Sequence, residues 1–219
     1  MYGHALATLM LSEAWGQTRR KDVGKVLRNA VKLILQVQGK KGGWGYKSKP
    51  EDGDTSICVM QVIALKSAKD AGIYVPSVTI AKALSLIKTR YDKKQHMFGY
   101  SRAKGSMGHL GSSAAGACIM QICGEKDEQF TKQPLVKVHK IMSNGLDKSG
   151  CSHKNYFLYY ASVASYNHGN GMYKSWTKMM EPYLLKKQQK NGGWGGLYKT
   201  AFTILAGSLP FQYLPVYQK

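Results

Sequence analysis

The sequence predicts an all-α protein, an α/α toroid in which helical hairpins repeat and form an inner and an outer layer. Three observations support this fold class: amphipathic helices alternate with helices that are apolar on nearly every side, a glycine-containing turn recurs, and β-type alternation is sparse. The repeat length of about 45–55 residues is the scale of helical-hairpin repeats. We therefore expect a single domain over residues 1–219 with about four hairpins.

The first hairpin shows both kinds of helix. An opening apolar segment contains Leu6, Leu9, Met10 and Ala14 and is assigned to the inner layer. Residues 22–36 then place their apolar side chains on one face, which is typical of an amphipathic helix with one side in water. A turn follows in which Gln38 precedes the run Gly42-Gly43-Trp44-Gly45-Tyr46.

The same order returns along the rest of the chain. Further inner segments are residues 57–65, 114–122, 157–164 and 202–206, and a helix without a polar face is expected to be enclosed by neighbours. The outer patterns between them comprise Ile80, Ala83, Leu84 and Ile87; Leu135, Val138 and Met142; and Trp176, Met179, Met180, Tyr183 and Leu184. Related turns follow at residues 95–100 and 189–196, and a degenerate copy at 147–151.

A layer of solvent-exposed amphipathic helices and a layer of buried apolar helices indicate two concentric rings around a central cavity. An open solenoid is the main alternative. About four hairpins and a final helix are too few to close a toroid. We expect an incomplete ring, either because the chain forms an open arc or because a further N-terminal part completes it.

The formal net charge of +20 attracts phosphates, anionic membrane surfaces or nucleic acid. The lysines are scattered and no zinc-finger, RNP or helix-turn-helix pattern is present, which argues against nucleic acid. The charge is compatible with contact with a membrane surface, although no apolar stretch approaches the roughly 20 residues of a membrane span. The N-terminus lacks the features of a signal peptide, which predicts a cytoplasmic protein. Four cysteines without a CxxC pair predict reduced, buried thiols.

The turns resemble the QW-type repeats of squalene and oxidosqualene cyclases. Residues 3–16, 53–68, 156–160 and 212–218 resemble bacterial prenyltransferase/squalene oxidase repeat proteins. The chain thus resembles the terpenoid cyclase and prenyltransferase superfamily of α/α toroids over nearly its whole length. The resemblance implies that fold, together with an apolar cavity for an isoprenoid chain.

The catalytic motifs of that superfamily are altered here. Class II cyclases protonate their substrate with the middle aspartate of an Asp-x-Asp-Asp-Thr motif. The corresponding residues are Glu51-Asp52-Gly53-Asp54-Thr55, so glycine occupies the place of the acid. Protein prenyltransferases hold zinc with an Asp-x-Cys pair, whereas this chain has Asp54-Thr55-Ser56. Neither zinc nor magnesium is supported, no cofactor is predicted, and catalysis is left undecided.

The candidate site residues lie at inner-helix N-termini and in the adjoining turns. Asp54 is the catalytic candidate, although an aspartate that begins a helix also serves as an N-cap. Tyr156 and Tyr160 lie four apart on one helix face, where they either line a cavity or pack between helices. The full set of ligand-binding candidates is Asp52, Thr55, Tyr100, Arg102, His153, Tyr156 and Tyr160.

Two functions are compatible with these features. The first is binding of an isoprenoid, another lipid-like ligand or an anionic small molecule in the central cavity. The second is a noncatalytic repeat scaffold that binds a protein, peptide or anionic partner on its concave face. A carbohydrate-active α/α barrel is disfavoured. Such an enzyme needs two carboxylates that face one cleft at a suitable separation, and the only acidic residues placed for this role are Asp54 and the neighbouring Glu51-Asp52 pair.

Overall fold

The computed structural model describes residues 1–101 and 109–211. The ligand-binding candidate Arg102, and the segment 212–218 that contributes to the resemblance, lie outside the described residues. The described chain forms two compact units, the first with residues 1–91 and 99–101 and the second with residues 92–98 and 109–211. The single domain over residues 1–219 stays a prediction.

The first unit is built around one buried helix. Its helices are α1 (Tyr2–Thr18), α2 (Lys21–Gln36), α3 (Thr55–Asp70) and α4 (Ser77–Lys88). Helix α3 packs against the other three, and every side chain from Thr55 to Leu65 is at most 7% exposed. Its apolar composition on all sides matches this enclosed position, as the sequence predicted.

The second unit is arranged around α8. Its helices are α5 (Leu110–Ile122), α6 (Glu128–Thr131), α7 (Gln133–Ser143), α8 (Lys154–His168), α9 (Asn170–Lys187) and α10 (Leu197–Gly207). Helix α8 contacts α5, α7, α9 and α10. Between α4 and α5 in the sequence, β1 (Tyr91–Asp92) and β2 (Met97–Phe98) form a two-stranded sheet. Short 3-10 turns lie at Leu146–Lys148 and Leu209–Phe211.

The predicted alternation of inner and outer helices is visible in the burial pattern. Helices α3, α5 and α8 are buried along most of their length, whereas α2, α4, α7 and α9 each bury one side. In α2, for example, Leu27, Val31 and Ile34 are buried while the lysines face solvent. The period of about 3.6 residues per turn explains why the buried positions recur every three or four residues.

Helices α1 and α10 depart from the predicted enclosure. Leu6 and Met10 of α1 are 40% and 61% exposed, and Ile204 of α10 is 56% exposed. Each helix has fewer neighbours than a central helix, since α1 packs on α2 and α3 and α10 packs on α8. Apolar composition indicates a preference for burial, but enclosure also requires a neighbour on each side. None of the described helices has the length and apolar character needed to cross a membrane.

Two of the recurring turns share the same hydrogen bonds. The amide of Gln38 donates to the Gly42 carbonyl at 2.9 Å, and that of Gln188 donates to the Gly192 carbonyl at 2.8 Å. The indole N–H groups of Trp44 and Trp194 each donate, at 2.8 Å, to the carbonyl ten residues earlier. The counterpart of Gln38 is therefore Gln188, so the last turn begins one residue before the predicted range of 189–196.

The other two predicted copies of the turn fold differently. Residues 95–100 lack the Gly-Gly pair and contribute β2, where Phe98 is fully buried against Gly116 of α5. The degenerate copy at 147–151 contains the end of a 3-10 turn instead. In the first copy Gly42 has φ +94° and in the fourth Gly192 has φ +82°. This left-handed backbone is readily available only to glycine, which explains why the two glycine-rich copies share their geometry.

Candidate ligand-binding site around Asp54

Asp54 caps the buried helix α3. Its Oδ1 accepts a hydrogen bond from the backbone N–H of Ile57 at 3.0 Å, and its own N–H donates to the Trp44 carbonyl at 2.7 Å. The residue is 7% exposed. These bonds show the capping role that the sequence suggested, and they hold the carboxyl group at the start of the helix.

Hydroxyl groups surround this carboxylate. Ser56 donates to Asp54 Oδ1, and the phenol of Tyr2 contacts the Ser56 hydroxyl, so a chain of donors runs from Tyr2 through Ser56 to Asp54. Tyr100 is hydrogen-bonded to Asp54 and to Tyr46, whose ring lies 6.0 Å from that of Tyr2. We call Tyr2, Tyr46, Asp54, Ser56 and Tyr100 the Asp54 cluster.

Tyr2 and Tyr100 of this cluster stay protonated at neutral pH, because the pKa of each is raised. Burial raises the pKa of Tyr100 well above its usual range, and the hydrogen bond to Asp54 raises it further. Burial likewise raises the pKa of Tyr2. The site therefore combines a carboxylate acceptor with phenol groups that donate or accept hydrogen bonds. It remains accessible, because Tyr46 is 70% and Tyr100 is 36% exposed.

Arg90, which is fully buried, fastens the backbone around the cluster. Its guanidinium donates to the Thr55 hydroxyl at 2.6 Å and to the carbonyls of Tyr100 at 3.2 Å and Gly53 at 3.1 Å. It also contacts the Asp52 carbonyl and lies 3.7 Å from the Asp52 carboxylate. The planar fork of arginine explains how one side chain satisfies several acceptors at once.

The position that resembles the cyclase acid has no room for a side chain. Gly53 has φ +66°, and a Cβ atom there would lie 2.9 Å from the backbone N and O of Trp44. An aspartate could enter only if the turn moved, because such a contact is with backbone rather than with a flexible side chain. The local geometry thus suits glycine.

Four of the predicted site residues come together in the first unit. Asp54 and Tyr100 are members of the cluster, while Asp52 and Thr55 contact it through Arg90. None of these contacts tests a catalytic or ligand-binding role, which therefore stays a prediction for each residue.

The remaining described candidates lie in the second unit. The rings of Tyr156 and Tyr160 are 4.5 Å apart, and Tyr156 also lies 6.3 Å from Phe202 of α10. Both tyrosines are at most 6% exposed, so they contribute to packing between helices. His153 precedes α8 and is exposed, without a side-chain hydrogen bond that caps the helix.

Sequence reasoning did not identify Tyr2, Tyr46, Ser56 or Arg90 as parts of the site. For Arg90 a weak signal existed: only five of the 32 basic residues are arginine, and this one lies two residues after the end of the outer helix α4. For Tyr2 there was none, because its approach to Ser56 joins residues 54 positions apart.

No metal centre is visible within residues 1–101 and 109–211, where no three His, Cys, Asp or Glu side chains come together as ligands. The four cysteines are thiols rather than disulfides, and Cys58, Cys118 and Cys151 are buried as predicted. Burial raises the pKa of the Cys58 thiol to about 11, which keeps it in the neutral form. The prediction that no cofactor is needed is left untested by this arrangement.

Solved structures of similar fold were found, although no protein-family model and no curated protein matches the sequence. One is an aspartate-to-asparagine variant of the type II terpene cyclase MstE from Scytonema with its substrate, geranylgeranyl dihydroxybenzoate. The match covers 99% of this chain and 69% of the cyclase chain, with a TM-score of 0.63 and 15% sequence identity. A second structure is an arginine-to-alanine variant of the same cyclase with that substrate. The match covers 98% of this chain and 70% of the cyclase chain, with a TM-score of 0.57 and 13% sequence identity. The chain therefore has a terpenoid cyclase-like fold of the α/α-toroid class, as the sequence predicted.

Proposed function

We propose that this protein binds an isoprenoid-like ligand whose hydroxyl-bearing head group is held by the Asp54 cluster. The observation that carries the proposal is that Ser56 and Tyr100 hydrogen-bond to one nearly buried carboxylate, with the hydroxyl-bearing side chains of Tyr2 and Tyr46 beside them. A carboxylate accepts hydrogen bonds from a hydroxylated head group, and the phenols supply donors for its oxygens.

The charge of the cluster favours a neutral head group. Asp54 carries the only carboxylate among the five residues of the cluster, and like charges in a partly buried site repel. A diphosphate placed against Asp54 would meet this repulsion, whereas an alcohol or phenol would not. The cyclase of similar fold holds geranylgeranyl dihydroxybenzoate, whose head bears hydroxyl groups together with a carboxyl group, so this ligand supports a hydroxyl-bearing head group but not its neutral charge.

Helix α1 supplies an apolar surface next to the cluster. Tyr2, Leu6 and Met10 are four residues apart, so they lie along one side of the helix. Leu6 and Met10 are exposed although α1 has the composition of an inner helix. An isoprenoid chain that lies along this stripe would bury apolar area at roughly 25 cal/mol per Å² while its head group contacts Asp54.

Binding of geranylgeraniol, measured by isothermal titration calorimetry, tests the proposal. Asp54→Asn removes the charge but keeps an N-cap residue, so the fold is retained while affinity falls about tenfold. Asp22→Asn, at an exposed site in α2, is the matched control and leaves affinity unchanged. Tyr100→Phe weakens binding in the same way, compared with Tyr74→Phe at a position that is 82% exposed.

The outcomes separate head-group classes. The proposal predicts that geranylgeraniol binds to this cluster more tightly than geranylgeranyl diphosphate does. Asp54→Asn should reduce the difference between the two affinities, because it removes the charge that repels the diphosphate. It is wrong if geranylgeraniol does not bind, or if Asp54→Asn and Tyr100→Phe bind it as well as their controls do.

A noncatalytic scaffold that binds a protein or peptide is the second candidate. It is favoured by the exposed apolar side chains of α10, where Leu197 is 88% and Ile204 is 56% exposed. Peptides selected for binding from a random library distinguish this function. The scaffold hypothesis predicts that Ile204→Asp abolishes their binding whereas Leu185→Asp, on the exposed side of α9, does not.

A further inference from the structure

A cavity of about 220 Å³ lies in the second unit at the first turns of α8 and α10. Lys154, Lys187 and Lys199 line it together with Asp147, Asn155 and Tyr183. Sites for drug-sized ligands usually occupy about 300–1,000 Å³, so this cavity fits a smaller molecule. Three ammonium groups against one carboxylate leave a net charge of +2, which favours a small anion.

Asp147 holds two of the lysines in place. Its oxygens lie 2.6 Å from Lys154 Nζ and 2.8 Å from Lys187 Nζ, and the Tyr183 hydroxyl donates to it at 3.0 Å. A carboxylate shared by two ammonium groups fixes their positions and leaves further N–H donors on each. Lys199 contributes a third ammonium group that no acidic side chain of this cavity contacts in the described structure.

Two of the three lysines lie at the helix ends that are unfavourable for a cation. Lys154 is the first residue of α8 and Lys199 lies in the first turn of α10, where the helix dipole presents positive charge. Neither helix has an acidic residue in its first turn or a side-chain N-cap. Cations placed against both dipoles are a local conflict of the kind that marks functional sites.

The two helix ends are joined directly. The Asn155 amide donates to the Thr203 hydroxyl at 2.8 Å and to the Lys199 carbonyl at 3.4 Å. The Asn155 side chain thus connects the start of α8 with the first turn of α10, beside the three ammonium groups that line the cavity. An anion bound there relieves the conflict of both lysines with both dipoles.

We propose that this cavity is a binding site for a small phosphate-bearing anion. Several charged oxygens on one compact group match the several N–H donors of the lysines and helix ends. This site shares no residue with the Asp54 cluster, so the anion proposal can be tested independently of the hydroxyl-bearing ligand proposed there. Its phosphate group belongs either to a free anion or to the head group of a lipid.

Titration of the full chain with sodium diphosphate and with inorganic phosphate, at constant ionic strength, tests the site. Lys199→Gln weakens binding about tenfold or more, because one charge-assisted contact is lost. The matched control is Lys190→Gln, which removes the same charge from an exposed residue that does not line the cavity, and it changes affinity less than about twofold.

Two further measurements complete the test. Without ligand, Lys199→Gln melts at the temperature of the parent chain or higher, because a cation has been removed from a helix N-terminus; a loss of binding is then not a loss of fold. Vesicles of phosphatidylcholine with and without phosphatidic acid identify the source of the phosphate. Lys199-dependent binding to phosphatidic acid without binding of free diphosphate supports a lipid head group, and binding of both supports one shared site.

The proposal is overturned if neither free phosphates nor phosphatidic acid vesicles bind. It is also overturned if Lys199→Gln and Lys190→Gln weaken binding equally, because that result would report only the charge of the whole chain.

Discussion

Replacing Arg90 by lysine keeps the buried charge but removes the planar fork that fastens the backbone beside Asp54. The arginine contacts the Thr55 hydroxyl, three backbone carbonyls and the Asp52 carboxylate. A lysine has three donors on a single nitrogen, so at least two of these five acceptors lose their partner. Because an unsatisfied buried acceptor costs about 1–3 kcal/mol, two of them correspond to a loss of roughly 2–6 kcal/mol in the free energy of unfolding.

Urea denaturation followed by tryptophan fluorescence measures this loss. Arg28→Lys is the matched control, since Arg28 is exposed on α2 and lies 6.0 Å from the Trp15 ring. We expect that control to stay within about 0.5 kcal/mol of the parent chain. A loss below about 1 kcal/mol for Arg90→Lys would refute the reasoning, because it would mean that the carbonyls find other partners.

Three further predictions concern the repeated turns, one histidine and the thiols. A Cβ atom at Gly42 would lie 2.6 Å from the backbone of Lys82, whereas at Gly192 the space is open, so Gly42→Ala costs about 2–5 kcal/mol in urea denaturation and Gly192→Ala only about 1–2; equal costs would contradict this. Burial, and to a lesser extent the charge of a nearby histidine, lowers the pKa of His139 to about 4. Protonating His139 therefore costs more in the folded chain than in the unfolded chain, so its contribution to stability is fully present above pH 6.5 and is lost as the pH falls toward 4. Replacing His139 by glutamine should reduce the loss of unfolding free energy between pH 7 and 4.5 by about 1–2 kcal/mol, a value discounted for partial exposure; an unchanged profile would contradict it. Of the four thiols only Cys123 is partly exposed, so mass spectrometry should find a single rapid alkylation of the folded chain, and fast labelling of a second thiol would contradict the burial.

The order of the helices could be predicted because its signal is local. The apolar side chains of Leu27, Val31 and Ile34 recur at the period of a helix, and residues 57–65 have almost no polar face. Exposure of α1 could not be predicted in the same way. Leu6 and Met10 are apolar like the residues of α3, and only the number of packed neighbours distinguishes the two helices.

The site was predicted in part for a comparable reason. Asp54 was identified because an aspartate before an apolar run is a recognisable start of a helix. The prediction placed the start of the last turn one residue late, at Gln189, although the spacing favours Gln188, which lies four positions before Gly192 as Gln38 lies four before Gly42.

The sequence by itself determined which segments are helices, which of them have a wet face and where glycine is needed, because these properties depend on residues a few positions apart. Only the tertiary structure decided that Tyr2, Asp54 and Tyr100 meet, and that Arg90 fastens the backbone beside them. The contacts join residues 10 to 54 positions apart along the chain, and they form because buried polar groups must find partners wherever packing places them.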